Sequence, residues 1–84
     1  MNDNELIKFY NKFSSSIKEE LNNYLIARKN YLYCKNGNTK SDLFITYDLI
    51  YTSTKHLWVS GRINTEEFQK LKESLSDISE VNNM

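Results

Sequence analysis

The stretch Ser41 to Val59, SDLFITYDLIYTSTKHLWV, decides the fold. Ten of its nineteen positions are apolar or aromatic, and three (Asp42, Asp48 and Lys55) are charged. Leu43, Phe44, Tyr47, Ile50, Tyr51, Thr54, Leu57 and Trp58 recur at helical spacing, and Ile45, Leu49 and Val59 form a second stripe on another side. Its β-branched and aromatic residues also suit a strand. Nineteen residues are too many for a typical strand, however, and period-two alternation fails from Asp48 to Tyr51. The segment therefore reads as the central helix, capped by Ser41 or Thr39. A helix apolar on two sides needs neighbours on two sides, from its own chain or from another.

On the N-terminal side, Asn2 or Asp3 can cap a first helix with Glu5 near its N3 position. Leu6, Phe9, Tyr10, Phe13, Ile17, Leu21, Tyr24, Leu25, Tyr31 and Leu32 continue a three-four stripe through to the loop at Lys35. One helix from Asp3 to Lys35 would be about 50 Å long, whereas a compact chain of this size is roughly 30 Å across. Either the helix breaks near Ser14 to Ser16, where Ser16 and Glu19 could form a capping box, or a second subunit matches the overhang. In the loop Lys35-Asn36-Gly37-Asn38-Thr39, Gly37 suits the left-handed position after a helix. The same Asn-Gly pair also allows a β-hairpin from Tyr31 to Thr46, at the cost of setting polar residues against the aromatic run.

On the C-terminal side, Gly61 ends the central helix, and Asn64 with Glu67 caps the next. Ile63 and Phe68 occupy the two positions of a hydrophobic staple. Phe68, Leu71, Leu75 and Ile78 then carry a helix from Thr65 to Glu80, with Val81 to Met84 expected to fray. The expectation is an all-α, three- to four-helix bundle forming one domain from Met1 to Met84. Eighty-four residues bury only about 60 to 65% of their unfolded surface, so the core is small.

Composition bounds the function. Eleven basic residues balance eleven acidic ones, which removes the simplest electrostatic case for nucleic acid as the main partner. The balance is uneven locally. Arg28 to Arg62 holds six cations against Asp42 and Asp48, whereas Ile63 to Met84 holds five acids against Lys70 and Lys72. A helix-turn-helix made by the central and last helices would present Glu66 and Glu67 to phosphate, which repels them. The basic middle leaves some nucleic-acid contact open. No apolar run reaches the length of a membrane span, and MNDNELIKFY has no signal-peptide core. A single cysteine, Cys34, forms no internal disulfide. These features favour a reducing, cytoplasmic setting.

The chemistry of catalysis is thinly represented. One His and one Cys make no metal cluster, and no phosphate-cradling glycine pattern exists. His56 has no nucleophile tied to it by a motif, and Cys34 lies at a helix C-terminus, where the dipole disfavours a thiolate. No catalytic, cofactor or metal residue is assigned, and the chain is not expected to be an enzyme. Six tyrosines and Trp58 instead suggest a protein interface, although a small core can absorb most of them. The candidate partner-binding residues are Arg28, Lys29, Tyr31, Tyr33 and Lys35, an aromatic and basic group beside the first loop.

At Ser60 to Leu75, SGRINTEEFQKLKESL resembles the glycine, isoleucine, Glu-Glu and aromatic junction of SHOCT-type segments and of many small phage and plasmid proteins. That resemblance covers about a fifth of the chain and implies a helix junction without an activity. In size, neutrality and helix count the chain is also similar to small bacteriocin-immunity four-helix bundles. The expected function is a small non-enzymatic regulator or inhibitor, of the kind phages and mobile elements encode, that occludes a partner protein. A homodimer is left open.

Overall fold

Local capping chemistry divides the chain. The computed structural model describes residues 2–75. In them α1 spans Asp3–Tyr10, α2 Ser15–Cys34, α3 Gly37–Val59 and α4 Thr65–Leu75. Among the described residues there is no strand, so the architecture is an all-α four-helix bundle and the Asn-Gly pair makes no hairpin. The expected extension of the last helix to Glu80, with Ile78, and the fraying of Val81 to Met84 lie outside the described residues.

The first helix is broken. The Asn2 side chain caps α1 by accepting from the Glu5 amide at 2.9 Å, and the helix stops at Tyr10. Ser14, with extended backbone, precedes α2, but its hydroxyl meets that of Ser16 at 3.1 Å and caps nothing. The Ser16 and Glu19 box is therefore not the start of α2, which begins one residue before Ser16. Breaking the helix removes the overhang. The molecule measures 37 × 24 × 20 Å with a radius of gyration of 12.6 Å, the compact value for this length.

The α2–α3 connection is two residues long and differs from expectation. Lys35, and not Gly37, takes the left-handed conformation (φ 50°), and its amide bonds the Tyr31 carbonyl at 2.7 Å. Asn36 then caps α3: its side chain accepts from the Thr39 amide at 3.0 Å, while Thr39 Oγ1 accepts from the Asn36 amide at 3.2 Å. This reciprocal box starts α3 at Gly37, so Thr39 and Ser41 lie inside the helix. Asparagine is a stronger cap than threonine, and its partner threonine stands at the required distance.

The α3–α4 junction follows its sequence signals. Gly61 is left-handed (φ 80°), the Arg62 amide bonds the Leu57 carbonyl at 2.9 Å, and the Gly61 amide bonds that of Trp58 at 3.1 Å. Asn64 and Glu67 exchange side-chain-to-backbone hydrogen bonds at 2.7 and 3.0 Å. Ile63 and Phe68, the staple pair, are both buried in the core.

That core takes Leu6 and Tyr10 from α1, Leu21, Tyr24 and Tyr31 from α2, Leu43, Ile50 and Leu57 from α3, and Phe68, Leu71 and Leu75 from α4. Two tyrosine hydroxyls bind the outer helices to the middle pair. Tyr10 meets Thr54 of α3, whose hydroxyl donates to the Ile50 carbonyl at 2.7 Å, and Tyr24 donates to the Leu75 carbonyl. Burial pushes both phenols up to about 12; at Tyr24 the neighbouring Arg28 opposes part of that rise. Rings then run in sequence along α3, from Tyr24 to Tyr47 (6.0 Å), to Tyr51 (5.9 Å), to Phe68 (6.1 Å) and to Trp58, stacked on Phe68 at 4.6 Å. Burial pushes the Tyr47 phenol up as well, helped by Tyr51 and Asp48.

Candidate functional site

A surface cleft of about 530 Å³ opens where the N-terminus of α1 meets the outer face of α2. Asp3, Leu25, Ile26, Arg28, Lys29, Leu32 and Tyr33 line it. Residues three and four apart share a helix face, so Leu25, Arg28, Lys29 and Leu32 form the floor and one rim. Tyr33 stands on the rim with 92% of its surface exposed, and Leu32 and Ile26 are also exposed.

Arg28 organises the floor. Its guanidinium donates to the Asp3 carboxylate and lies 5.7 Å from the centre of the Tyr24 ring. The ion pair attaches α1 to α2, and the Arg28 side chain is mostly covered while that of Asp3 is more than half exposed. Burial alone would lower the Arg28 pKa, but Asp3 and Tyr24 outweigh it and hold the guanidinium protonated. With Asp3 neutralised in this way, Lys29 is the cation that the cleft presents to solvent.

Three of the five candidate residues, Arg28, Lys29 and Tyr33, are brought together here. Tyr31 is not with them: it is 1% exposed and belongs to the core, which corrects its assignment to the binding surface. Its spacing of seven from Tyr24 and ten from Leu21 places it on the inward stripe of α2, and position near a loop does not override that. Lys35 caps α2 and is not among the cleft residues. Sequence reasoning missed Asp3, which lies 25 residues from Arg28 and has no local signal, and it missed Ile26. Leu25 and Leu32 were expected to face the core; Leu25 is half-buried and Leu32 is exposed.

His56 and Cys34 lie outside this cleft. Ser53 donates to the Glu20 carboxylate, so its hydroxyl is directed to an acid and not to His56. His56, Ser53, Ser60 and Arg62 line a separate hollow of about 330 Å³ at the other end of α3. Cys34 is an exposed free thiol on the last turn of α2. Among the described residues no group of three or more potential metal ligands converges, and no helix is long and apolar enough to cross a membrane.

The fold and the cleft define a small all-α bundle with an apolar concavity that presents Lys29 to solvent. No family model matches the chain, and neither a curated protein nor a solved structure matches it.

Proposed function

We propose that this protein is a non-enzymatic protein-binding regulator or inhibitor, a small bundle of the sort mobile elements such as phages encode, which acts by covering part of a partner's surface. The observation that supports it most is the cleft rim. Tyr33 is left 92% exposed next to Leu32, Ile26 and Lys29, although the same fold buries three other tyrosines completely. A tyrosine ring in water beside aliphatic side chains is the composition of an interface centre, where aromatic residues are enriched. The exposed thiol of Cys34 fits a reducing, cytoplasmic site of action.

Recovery of bound proteins from the native cell, using wild type, Tyr33→Ala and Lys29→Glu as bait, tests this directly. The expected result is one partner retained by wild type, lost with both cleft variants and retained by Lys70→Glu, whose site lies on α4 away from the cleft. Equal recovery by all four would refute a role for the cleft. Recovery of nucleic acid that dissociates steeply with salt would replace the protein partner by a polyanion bound through the basic middle of the chain.

A further inference from the structure

The outer side of α3 carries a second, unrelated pattern. Asp42, Ile45, Leu49, Thr52, His56 and Val59 follow one another at spacings of three and four, and all six are exposed. They lie opposite the stripe of Leu43, Ile50, Thr54 and Leu57 that α3 buries in its own bundle. Ile45, Leu49 and Val59 keep 59, 52 and 73% of their surface in water, so the neighbour that this second stripe demands is not supplied by the described residues. Alternating three-four spacing is the pattern that keeps a seam in register with a second helix along its whole length.

The Asp42 carboxylate, an acceptor, and the His56 imidazole, which can donate an N–H to it, identify that second helix. Asp42 stands seven residues before Leu49 and His56 seven after it. If the seam pairs antiparallel with a copy of itself about Leu49, Leu49 meets its own copy, Asp42 meets the partner's His56, and Ile45 meets the partner's Thr52 to within a residue. A parallel pairing would set Asp42 against the partner's Asp42. The antiparallel arrangement is isologous, so each complementary contact occurs twice.

Dimensions agree. The 23 residues of α3 span about 35 Å, and the longest dimension of the molecule is 37 Å, so two copies of α3 can lie side by side without overhang. Beside the seam, Asn23, Ile26 and Asn30 of α2 line a groove of about 270 Å³ with Ile45, wide enough to receive side chains flanking the partner's seam. The uncovered aliphatic side chains present on the order of 400 Å² of apolar surface, as large as the largest patches that monomers tolerate. We infer that the protein is a homodimer joined along α3, antiparallel about Leu49. This surface borders the Tyr33 cleft at Ile26, but Leu49 and His56 lie outside that cleft, so variants at those two positions test the dimer without altering the cleft.

Sedimentation velocity through a dilution series tests the inference. Wild type should sediment at twice the 10.0 kDa chain mass and dissociate on dilution. Leu49→Lys should be monomeric with undiminished helical circular dichroism, since the side chain it replaces touches solvent. His56→Glu, which sets two acids against two acids, should weaken dimerisation about tenfold or more. Asp42→Lys combined with His56→Glu sets a cation against an acid and should recover it. A wild-type monomer at every concentration, a dimer that survives Leu49→Lys, or a double variant no tighter than His56→Glu alone would each overturn the inference.

Discussion

Thr54 is the buried polar side chain of the core among the described residues, and its one proton goes to the Ile50 carbonyl. Tyr10 must therefore be the donor in the Tyr10–Thr54 bond, and the two variants of that bond are unequal. Tyr10→Phe removes a donor and leaves Thr54 bonded to Ile50, which should cost about 1 kcal/mol. Thr54→Val keeps the shape but strands the Tyr10 hydroxyl in an apolar core, which should cost about 1–3 kcal/mol. Urea midpoints, with unchanged slope, should rank Thr54→Val as the less stable protein. The tyrosines also mark what sequence could convey at this scale. Tyr10, Tyr24 and Tyr31 share the three-four stripe and all three are buried, whereas loop proximity, which assigned Tyr31 to the binding surface, was a misleading guide. The Arg28–Asp3 pair was not legible, because nothing local specifies a contact across 25 residues.

At the scale of elements, the two glycines should respond in opposite directions to alanine. Gly61 holds a left-handed turn (φ 80°) that an L side chain rarely adopts, so Gly61→Ala should lower the melting temperature by an amount corresponding to about 1 kcal/mol. Gly37 is the first residue of α3, with negative φ and open space where a Cβ would stand, so Gly37→Ala should stabilise by about 0.4–1 kcal/mol. Calorimetry on both settles the signs. The Gly61 junction was readable because each of its determinants lies within a dozen residues: a left-handed glycine, a reciprocal cap and a staple. The start of α3 was less so. Asn36, Thr39 and Ser41 are all acceptable caps, and the choice depends on the left-handed Lys35 that closes α2 just before it.

For the molecule as a whole, Tyr10 and Tyr24 bind α1 and α4 to the central pair, which couples stability to alkaline pH. Each phenol titrates near 10 when unfolded and at about 12 in the fold, because burial disfavours the phenolate. Below pH 10 both states keep the proton and stability is flat. Between 10 and 12 the unfolded chain has lost protons that the folded chain retains, so stability should fall by about 1.4 kcal/mol per pH unit for each tyrosine. Urea denaturation at pH 8, 10 and 11 should show that slope, and Tyr24→Phe should reduce it. The all-α class and the central position of α3 were legible from periodicity and length, whereas the break near Ser14 to Ser16 was left open between three helices and four. What covers the second side of α3 was not, since periodicity reports that a face is apolar and not which neighbour meets it.

The two-residue link between α2 and α3 also governs the order of assembly. Closing so short a loop sacrifices very little chain entropy, and a contact it permits, Tyr24 with Tyr47, spans 23 residues. The α2–α3 pair can therefore close before the longest-range contacts are made. By contrast, Tyr10 with Thr54 and Tyr24 with Leu75 span 44 and 51 residues, so the bonds that tie α1 to α3 and α4 to α2 are the slower search. Until they dock, the part of the α3 inward stripe that α1 and α4 cover stays in water along with the outer seam, and the nascent hairpin displays more apolar surface than the finished fold.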